Sequence, residues 1–175
     1  GILSTDPVSL PKACKNATEL NSARESHLRD AAAVCRFLAW LDAQPTGTLT
    51  EIDAATQLEE IRRQDPLMDE ISFDTISAAG PHAALPHYRV TTDSNRTLNA
   101  GEVYLVDSGA QYQDGTTDIT RTLAIGELSD EVKRAFTRVL KGMIAISRLR
   151  FPYGISGRDI DAFARAALWS AGQYY

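Results

Sequence analysis

The sequence has little of what several common function classes require. Two cysteines in 175 residues, Cys14 and Cys35, exclude a disulfide scaffold and favour reduced thiols in a cytoplasmic protein, with Cys35 on an apolar helix face. The longest apolar stretches, such as AAAVCRFLAWL, are interrupted by Arg36 and are too short to span a bilayer. Lysine and arginine number 18 against 23 aspartates and glutamates, so no basic footprint favours nucleic acid. We therefore expect neither nucleic acid nor a membrane among the partners.

Nucleotide and acyl-transfer motifs are missing as well. No Gly-rich phosphate-binding pattern follows a predicted strand. Ser108, in DSGAQ, lacks the spacing of a nucleophile elbow and is a poor candidate nucleophile. Of the three histidines, His27 lies in a predicted helix and is interpreted as structural, whereas His82 and His87 lie in the turn-rich string GPHAALPHYRV. Such a turn can present a histidine to a site, although each histidine alone is more often structural.

Helical periodicity occupies both ends of the chain, and strand periodicity occupies its middle. Thr18 is predicted to cap a long helix that ends before Pro45, and Thr50 is predicted to cap a second helix. Two further helices are predicted after Ser129 and after Gly157. The predicted strands are ISFDTISAAG, HYRVTT, EVYLVDSGAQY and DITRTLAIG. We expect an α/β fold with a mostly antiparallel sheet, in which the last helix pair has no following strands to cover.

Two aspartates in the string VDSGAQYQDGTTDITRT raise the question of a metal site. Asp114-Gly115 predicts a tight hairpin, and a regular hairpin centred there would leave Asp107 and Asp118 roughly 13 Å apart along the strands. A bulge or wider loop, which Gly109 permits, would bring the two carboxylates together. The residues alone leave both interpretations open: ligands of a divalent ion, or turn and surface residues. The threonines at 116, 117, 120 and 122 are interpreted as strand formers.

Taken together, GPHAALPHY and LNAGEVYLVDSGAQYQDGTTDITRT closely resemble the aminopeptidase P family, the metal-dependent Xaa-Pro aminopeptidases of the pita-bread (creatinase/aminopeptidase) fold. The resemblance runs from about residue 6 to the last residue, and its most specific element is the D-x10-D spacing of Asp107 and Asp118. It implies that residues 1–175 are the N-terminal part of an incomplete catalytic domain. This part would comprise the first half of the fold and the helices of the second half.

The resemblance also implies a site. The family holds two divalent metal ions with two aspartates, one histidine and two glutamates, and the aspartates match Asp107 and Asp118, with Asp118 bridging both ions. His87 matches a histidine that contacts the substrate or the transition state, so it is the candidate catalytic and substrate-binding residue. The other three ligands have no counterpart motif in the sequence, and we expect these residues alone to be inactive or nearly so. Manganese is the expected metal, with cobalt or zinc as alternatives.

The implied reaction is hydrolysis of the bond between an N-terminal residue and a following proline, by a hydroxide bridging the two ions. The implied partners are peptides with proline at position two and, in the intact protein, a second copy of the chain in a dimer. Two alternatives remain. One is a pita-bread module that binds peptides or proteins without catalysis, and the other is an α/β domain with no chemistry in the hairpin.

Overall fold

The computed structural model describes residues 6–174 and divides at Gly126 into two compact units. The helices of the first unit are α1 (Ser9–Ala13), α2 (Ala17–Asp42) and α3 (Glu51–Arg62), with a 3-10 helix at Gly80–Ala84. Its strands are β1 (Met68–Ile71), β2 (Ile76–Ala79), β3 (Glu102–Ser108), β4 (Ala110–Tyr112), β5 (Gly115–Thr116) and β6 (Ile119–Ile125). The second unit contains α4 (Asp130–Arg148) and α5 (Gly157–Trp169).

The long helices begin at side-chain caps, as the sequence predicts, with one shift. Thr50 and Ser129 accept hydrogen bonds from the backbone three residues later and cap α3 and α4. The first long helix begins earlier than predicted, because Asn16 and Glu19 form a capping box that places Thr18 inside the first turn. The four predicted helices are therefore confirmed, and the start of α2 is corrected by two residues.

The predicted antiparallel arrangement is confirmed, but the strands form two sheets, with the orders β1-β4-β5 and β2-β3-β6. The string ISFDTISAAG is split between β1 and β2. The strand predicted at HYRVTT is wrong, since this segment is a turn and irregular chain. Its polar groups bond locally instead of joining a ladder: Thr91 N donates to Ser94 Oγ at 2.9 Å, and the Tyr88 hydroxyl also bonds Ser94.

Alternation along β3 gives the β2-β3-β6 sheet two different faces. Tyr104 and Val106 point into the main core, to which α2 and α3 also contribute. Its buried residues are Ala33, Val34, Phe37, Ala54, Leu58, Ile61, Ala79, Leu98, Tyr104, Val106 and Ile125. Leu105 and Asp107 point to the opposite face, where Leu105 packs against a small cluster that includes Ile76. One face of the sheet is thus covered by helices, and the other carries the candidate aspartate Asp107.

A buried ion pair joins the two long helices of the first unit. Arg62 Nε donates to Asp30 Oδ1 at 2.7 Å, and the two side chains are 1% and 0% exposed. Tyr112 of β4 donates its hydroxyl hydrogen to the same Asp30 oxygen at 3.0 Å. This carboxylate therefore fixes α2, α3 and the tip of the β4-β5 hairpin to one another.

In the second unit, α4 and α5 pack closely at a glycine. A Cβ at Gly142 would lie 2.1 Å from the carbonyl oxygen of Ala164, so only glycine allows this approach. Several large apolar side chains of the pair are exposed, as expected for helices that no strand of residues 127–174 covers. These are Phe136, Val139, Leu140, Met143, Ile144, Phe163 and Trp169.

Cys14 and Cys35 are both exposed and unpaired. The expectation that Cys35 lies on the apolar face of α2 is therefore wrong. Of the helices in residues 6–174, none combines the length and the apolar character needed to cross a bilayer.

The buried ion pair predicts that substitutions of two neighbouring arginines differ greatly in their effect on the free energy of unfolding. Replacing Arg62 by Met leaves the Asp30 carboxylate buried without its cation, so the free energy of unfolding should fall by about 3–5 kcal/mol. Arg63 pairs with Glu59 at the surface, and Arg63→Met should change it by less than about 1 kcal/mol. Urea denaturation of the full-length protein measures both. Equal losses from the two variants would contradict the assigned role of Asp30.

Candidate metal centre

The hairpin that carries the two aspartates differs from the predicted one in the position of its turn. Tyr112 pairs with Gly115, so the turn is centred on Gln113 and Asp114, one residue earlier than predicted. Asp107 consequently pairs with Thr120, and Asp118 lies only two residues from that partner. The predicted separation of roughly 13 Å for a regular hairpin is therefore wrong.

Gly115 is required for a reason other than the conformation of the turn. Its φ is not positive, so the turn does not require glycine for its backbone conformation. A Cβ at Gly115 would instead lie 2.5 Å from Ser26 Oγ, where α2 crosses the hairpin. Asp114 is held by Arg29 of the same helix, with 2.5 Å between Arg29 Nη2 and Asp114 Oδ1. Contacts with α2 thus set the turn one residue earlier.

The strands are interrupted between the aspartates, but the predicted bulge that slides one strand along the other is wrong, since Tyr112–Gly115 and Ser108–Ile119 pair in the same register. Gly109 interrupts one strand and Thr117-Asp118 interrupts the other, at the point where the chain passes between the two sheets. A Cβ at Gly109 would lie 2.0 Å from Thr117 O and 2.4 Å from Ser72 Oγ. Thr117 Oγ1 accepts a hydrogen bond from Ala110 N at 2.9 Å, and Ser72 Oγ donates to Thr117 O at 3.0 Å. Thr117 N still donates to Ala110 O at 2.9 Å, so side-chain and backbone bonds together hold the two strands at the interruption.

The structure brings the two carboxylates together. Desolvation raises the pKa of Asp118, and the Asp107 carboxylate raises it further through its charge and a hydrogen bond, whereas His27 lowers it. Two like charges at one place indicate a pair that a cation would stabilise. Thr120 Oγ1 donates to Asp107 Oδ1 at 2.7 Å and fixes its orientation. The interpretation of the threonines as simple strand formers is therefore wrong for Thr117 and Thr120.

The third candidate, His87, precedes a residue that packs on the same face of the sheet. Its neighbour Tyr88 packs in one apolar cluster with Ile76, and Ile76 is the cross-strand partner of Asp107. The His87 side chain is exposed and has no hydrogen-bond partner within residues 6–174. His82 does not join it, because its Nδ1 lies 2.8 Å from Glu51 Oε1.

The two aspartates fit a divalent metal centre in their chemistry, since hard and borderline ions prefer carboxylate oxygens. Among the described residues no third histidine, cysteine, aspartate or glutamate completes a cluster with them. These residues therefore offer a pair of ligands, and further ligands would have to come from outside residues 6–174.

Comparison with known proteins identifies the fold. The X-prolyl aminopeptidase of Caenorhabditis elegans, described as a cytosolic enzyme with a di-nuclear active site, superposes with a TM-score of 0.88. It is 44% identical, over 96% of this chain and 28% of that one. The X-Pro aminopeptidase of Thermotoga maritima gives a TM-score of 0.80 at 28% identity, over 94% of this chain and 44% of that one. The chain thus has the α/β pita-bread fold of these metal-dependent peptidases.

The model of metallopeptidase family M24 matches residues 21–175, and the chain belongs to this family. Xaa-Pro aminopeptidase 2 of Sus scrofa is 51% identical over 170 residues, which are 97% of this chain and 25% of that protein. The chain therefore spans about a quarter of the length of this curated relative. The resemblance to Xaa-Pro aminopeptidases that the sequence indicates is confirmed.

The Thr120 contact predicts a measurable effect on metal binding. Thr120→Val keeps the shape of the side chain but removes the donor to Asp107, so affinity for Mn²⁺ should fall by about 10-fold or more. Thr122→Val is the matched control, because Thr122 lies on the same strand and has no hydrogen bond to either aspartate. Titration of the full-length protein against a competing chelator measures both, and equal affinities in the two variants would contradict this role.

Proposed function

We propose that the protein containing this sequence is a metal-dependent aminopeptidase that releases an N-terminal residue preceding proline. The observation that carries the proposal is the convergence of Asp107 and Asp118 at the interruption in the hairpin. Support comes from the relatives, since those with 51% and 44% identity are named Xaa-Pro and X-prolyl aminopeptidases.

In this proposal, Asp107 and Asp118 would be two of the ligands that hold two divalent ions, with manganese as the metal. When bound, such ions would polarise a carbonyl and lower the pKa of a bound water. The residues of the chain set the positions of these carboxylates: Gly109 allows Thr117 and Ser72 to approach its backbone closely, and Thr120 directs one oxygen of Asp107. The raised pKa of Asp118 means that the pair binds a proton more readily than an isolated carboxylate does. A metal must therefore compete with that proton at low pH.

We assign His87 to substrate binding and catalysis. Its exposed imidazole, which adjoins the Tyr88 that packs on the Asp107 face of the sheet, would donate a hydrogen bond to the carbonyl oxygen of the scissile bond. Such a donor stabilises the negative charge that develops on this oxygen in the transition state. The proline nitrogen of the substrate lacks a hydrogen, so recognition of this bond cannot depend on an amide donor there.

The proposal extends to the rest of the protein. We interpret residues 1–175 as the N-terminal part of a pita-bread catalytic domain whose histidine and glutamate ligands lie elsewhere, so these residues alone should show little or no activity. A cytoplasmic homodimer is the proposed state of the intact protein. The C. elegans relative is described as cytosolic, which agrees with this location.

The test uses the full-length protein with Mn²⁺ and two tripeptides, Ala-Pro-Ala and Ala-Ala-Ala. We expect release of the first alanine from Ala-Pro-Ala only, and loss of this release in Asp118→Asn, because the amide cannot supply the same charge to the ions. His87→Ala should lower kcat by about 100-fold, as removal of a transition-state hydrogen-bond donor does.

Asp69→Asn serves as the control variant for Asp118→Asn, since it makes the same chemical change at an exposed aspartate on β1. It should retain activity. Full activity of Asp118→Asn would overturn the site assignment. If the unmodified protein binds Ala-Pro-Ala but releases nothing, the alternative of a peptide-binding module without catalysis is favoured. Metal analysis showing fewer than one Mn²⁺ per chain would favour a domain with no chemistry in the hairpin.

A further inference from the structure

A second buried carboxylate, Glu51, is the centre of a hydrogen-bond network away from the aspartates. It is the first residue of α3 and is 0% exposed. Its Oε1 accepts from Ala79 N at 2.7 Å and lies 2.8 Å from His82 Nδ1. Its Oε2 accepts from the Tyr88 hydroxyl at 2.9 Å and from Arg96 N at 3.2 Å. One carboxylate therefore has four partners, and the N-terminus of the helix favours its negative charge.

These partners all belong to one segment of the chain. Ala79 ends β2, Arg96 lies near the return of the chain to β3, and His82 and Tyr88 lie between them. The rings of His82 and Tyr88 stack on each other with 4.3 Å between centroids. Glu51 thus binds both ends and two interior points of residues 79–96, which the structure shows as a 3-10 helix and irregular chain. Irregular chain has no ladder of its own, so it depends on such bonds for a defined position.

The arrangement of donors requires a carboxylate in particular. Each oxygen of Glu51 accepts from one backbone N–H, that of Ala79 or that of Arg96. A backbone N–H can only donate, so the NH₂ of a glutamine would face a donor whichever way the amide is turned. Aspartate has the charge but is one methylene shorter. Neither substitution can therefore preserve the full set of bonds.

His87 lies directly beside Tyr88 in this segment. Burial raises the pKa of Tyr88, a bond from Ser94 lowers it, and Glu51 raises it again, so the hydroxyl remains a donor at neutral pH. From this geometry we infer that Glu51 is a positioning residue, which holds residues 79–96 so that His87 meets the substrate bound at the aspartates. The inference depends on the role proposed for His87, and it assigns to Glu51 no contact with the substrate.

The test compares Glu51→Gln and Tyr88→Phe with the unmodified full-length protein. With Ala-Pro-Ala and Mn²⁺, kcat of Glu51→Gln should fall on the order of 100-fold, because small displacements of a catalytic group cost that much, while KM changes little. Tyr88→Phe keeps the ring and its stacking and should show a smaller fall in kcat. It keeps the test decisive if Glu51→Gln does not fold.

Ser77→Ala is the matched control. Ser77 Oγ donates to the backbone carbonyl of Glu51 at 2.6 Å, so its loss weakens the same region without changing the carboxylate. This variant should lower the unfolding midpoint. It should leave kcat within about twofold, because it displaces no group on the sheet face that carries Asp107. A merely structural role for Glu51 would give all three variants losses of kcat that follow their losses of stability.

Hydrogen–deuterium exchange provides a readout that needs no activity. Exchange in residues 80–96 should rise in Glu51→Gln and Tyr88→Phe and stay unchanged in Ser77→Ala. Faster exchange with unchanged kcat would overturn the positioning role, and so would unchanged exchange in both variants. An unmodified protein without Xaa-Pro activity would instead refute the proposed function, and the exchange result would then decide separately whether Glu51 anchors this segment.

Discussion

The buried carboxylate of Asp30 is the contact on which the candidate site depends. It binds Arg62 of α3 and the hydroxyl of Tyr112, and it lies on α2, so three elements meet at one charge. The neighbouring Arg29 holds Asp114 at the hairpin turn and lies over the Tyr112 ring, 5.5 Å from its centroid. The tip of the hairpin is therefore fixed to the helices. The position of the turn sets the register of the strands, in which Asp107 pairs with Thr120 and Asp118 lies two residues from that partner.

The two faces of the β2-β3-β6 sheet differ in what covers them. The face of Tyr104 and Val106 is covered by α2 and α3, and the burial of this face supplies most of the apolar core of the first unit. The opposite face has the small cluster around Ile76 and Tyr88, and it carries Asp107 beside Ile76. Glu51 connects the two sides, since it begins α3 and binds the segment that covers part of the open face. A helix of the core thereby sets the position of a loop at the site.

Local chemistry was enough to predict the helices, because caps and periodicity act over a few residues, as at Thr50 and Ser129. It left the roles of Asp107 and Asp118 open, and only the resemblance to the family pointed to them as metal ligands, which stays a prediction. It failed for the turn, since the position of the turn depends on Arg29 and Ser26, which are distant in the sequence. It failed for HYRVTT for the same reason: β-branched and aromatic residues suggested a strand, but the Tyr88 hydroxyl is bound by Glu51. Glu51 itself carries no signal in the sequence beyond that of an acidic residue in a first helical turn.

Placing the Asp107 and Asp118 carboxylates side by side raises the free energy of the folded state, because like charges repel each other. Desolvation and Asp107 raise the pKa of Asp118, so the folded state binds this proton more tightly than the unfolded state does. The contribution of Asp118 to the free energy of unfolding therefore decreases as the pH rises through its raised pKa, and at neutral pH the pair is unfavourable. The side chain is exposed, and solvent keeps this penalty small. In the proposed metal centre, the folded chain would hold both carboxylates in place before a cation binds. Binding would then need little rearrangement, and less of the free energy of binding would be spent on ordering the site.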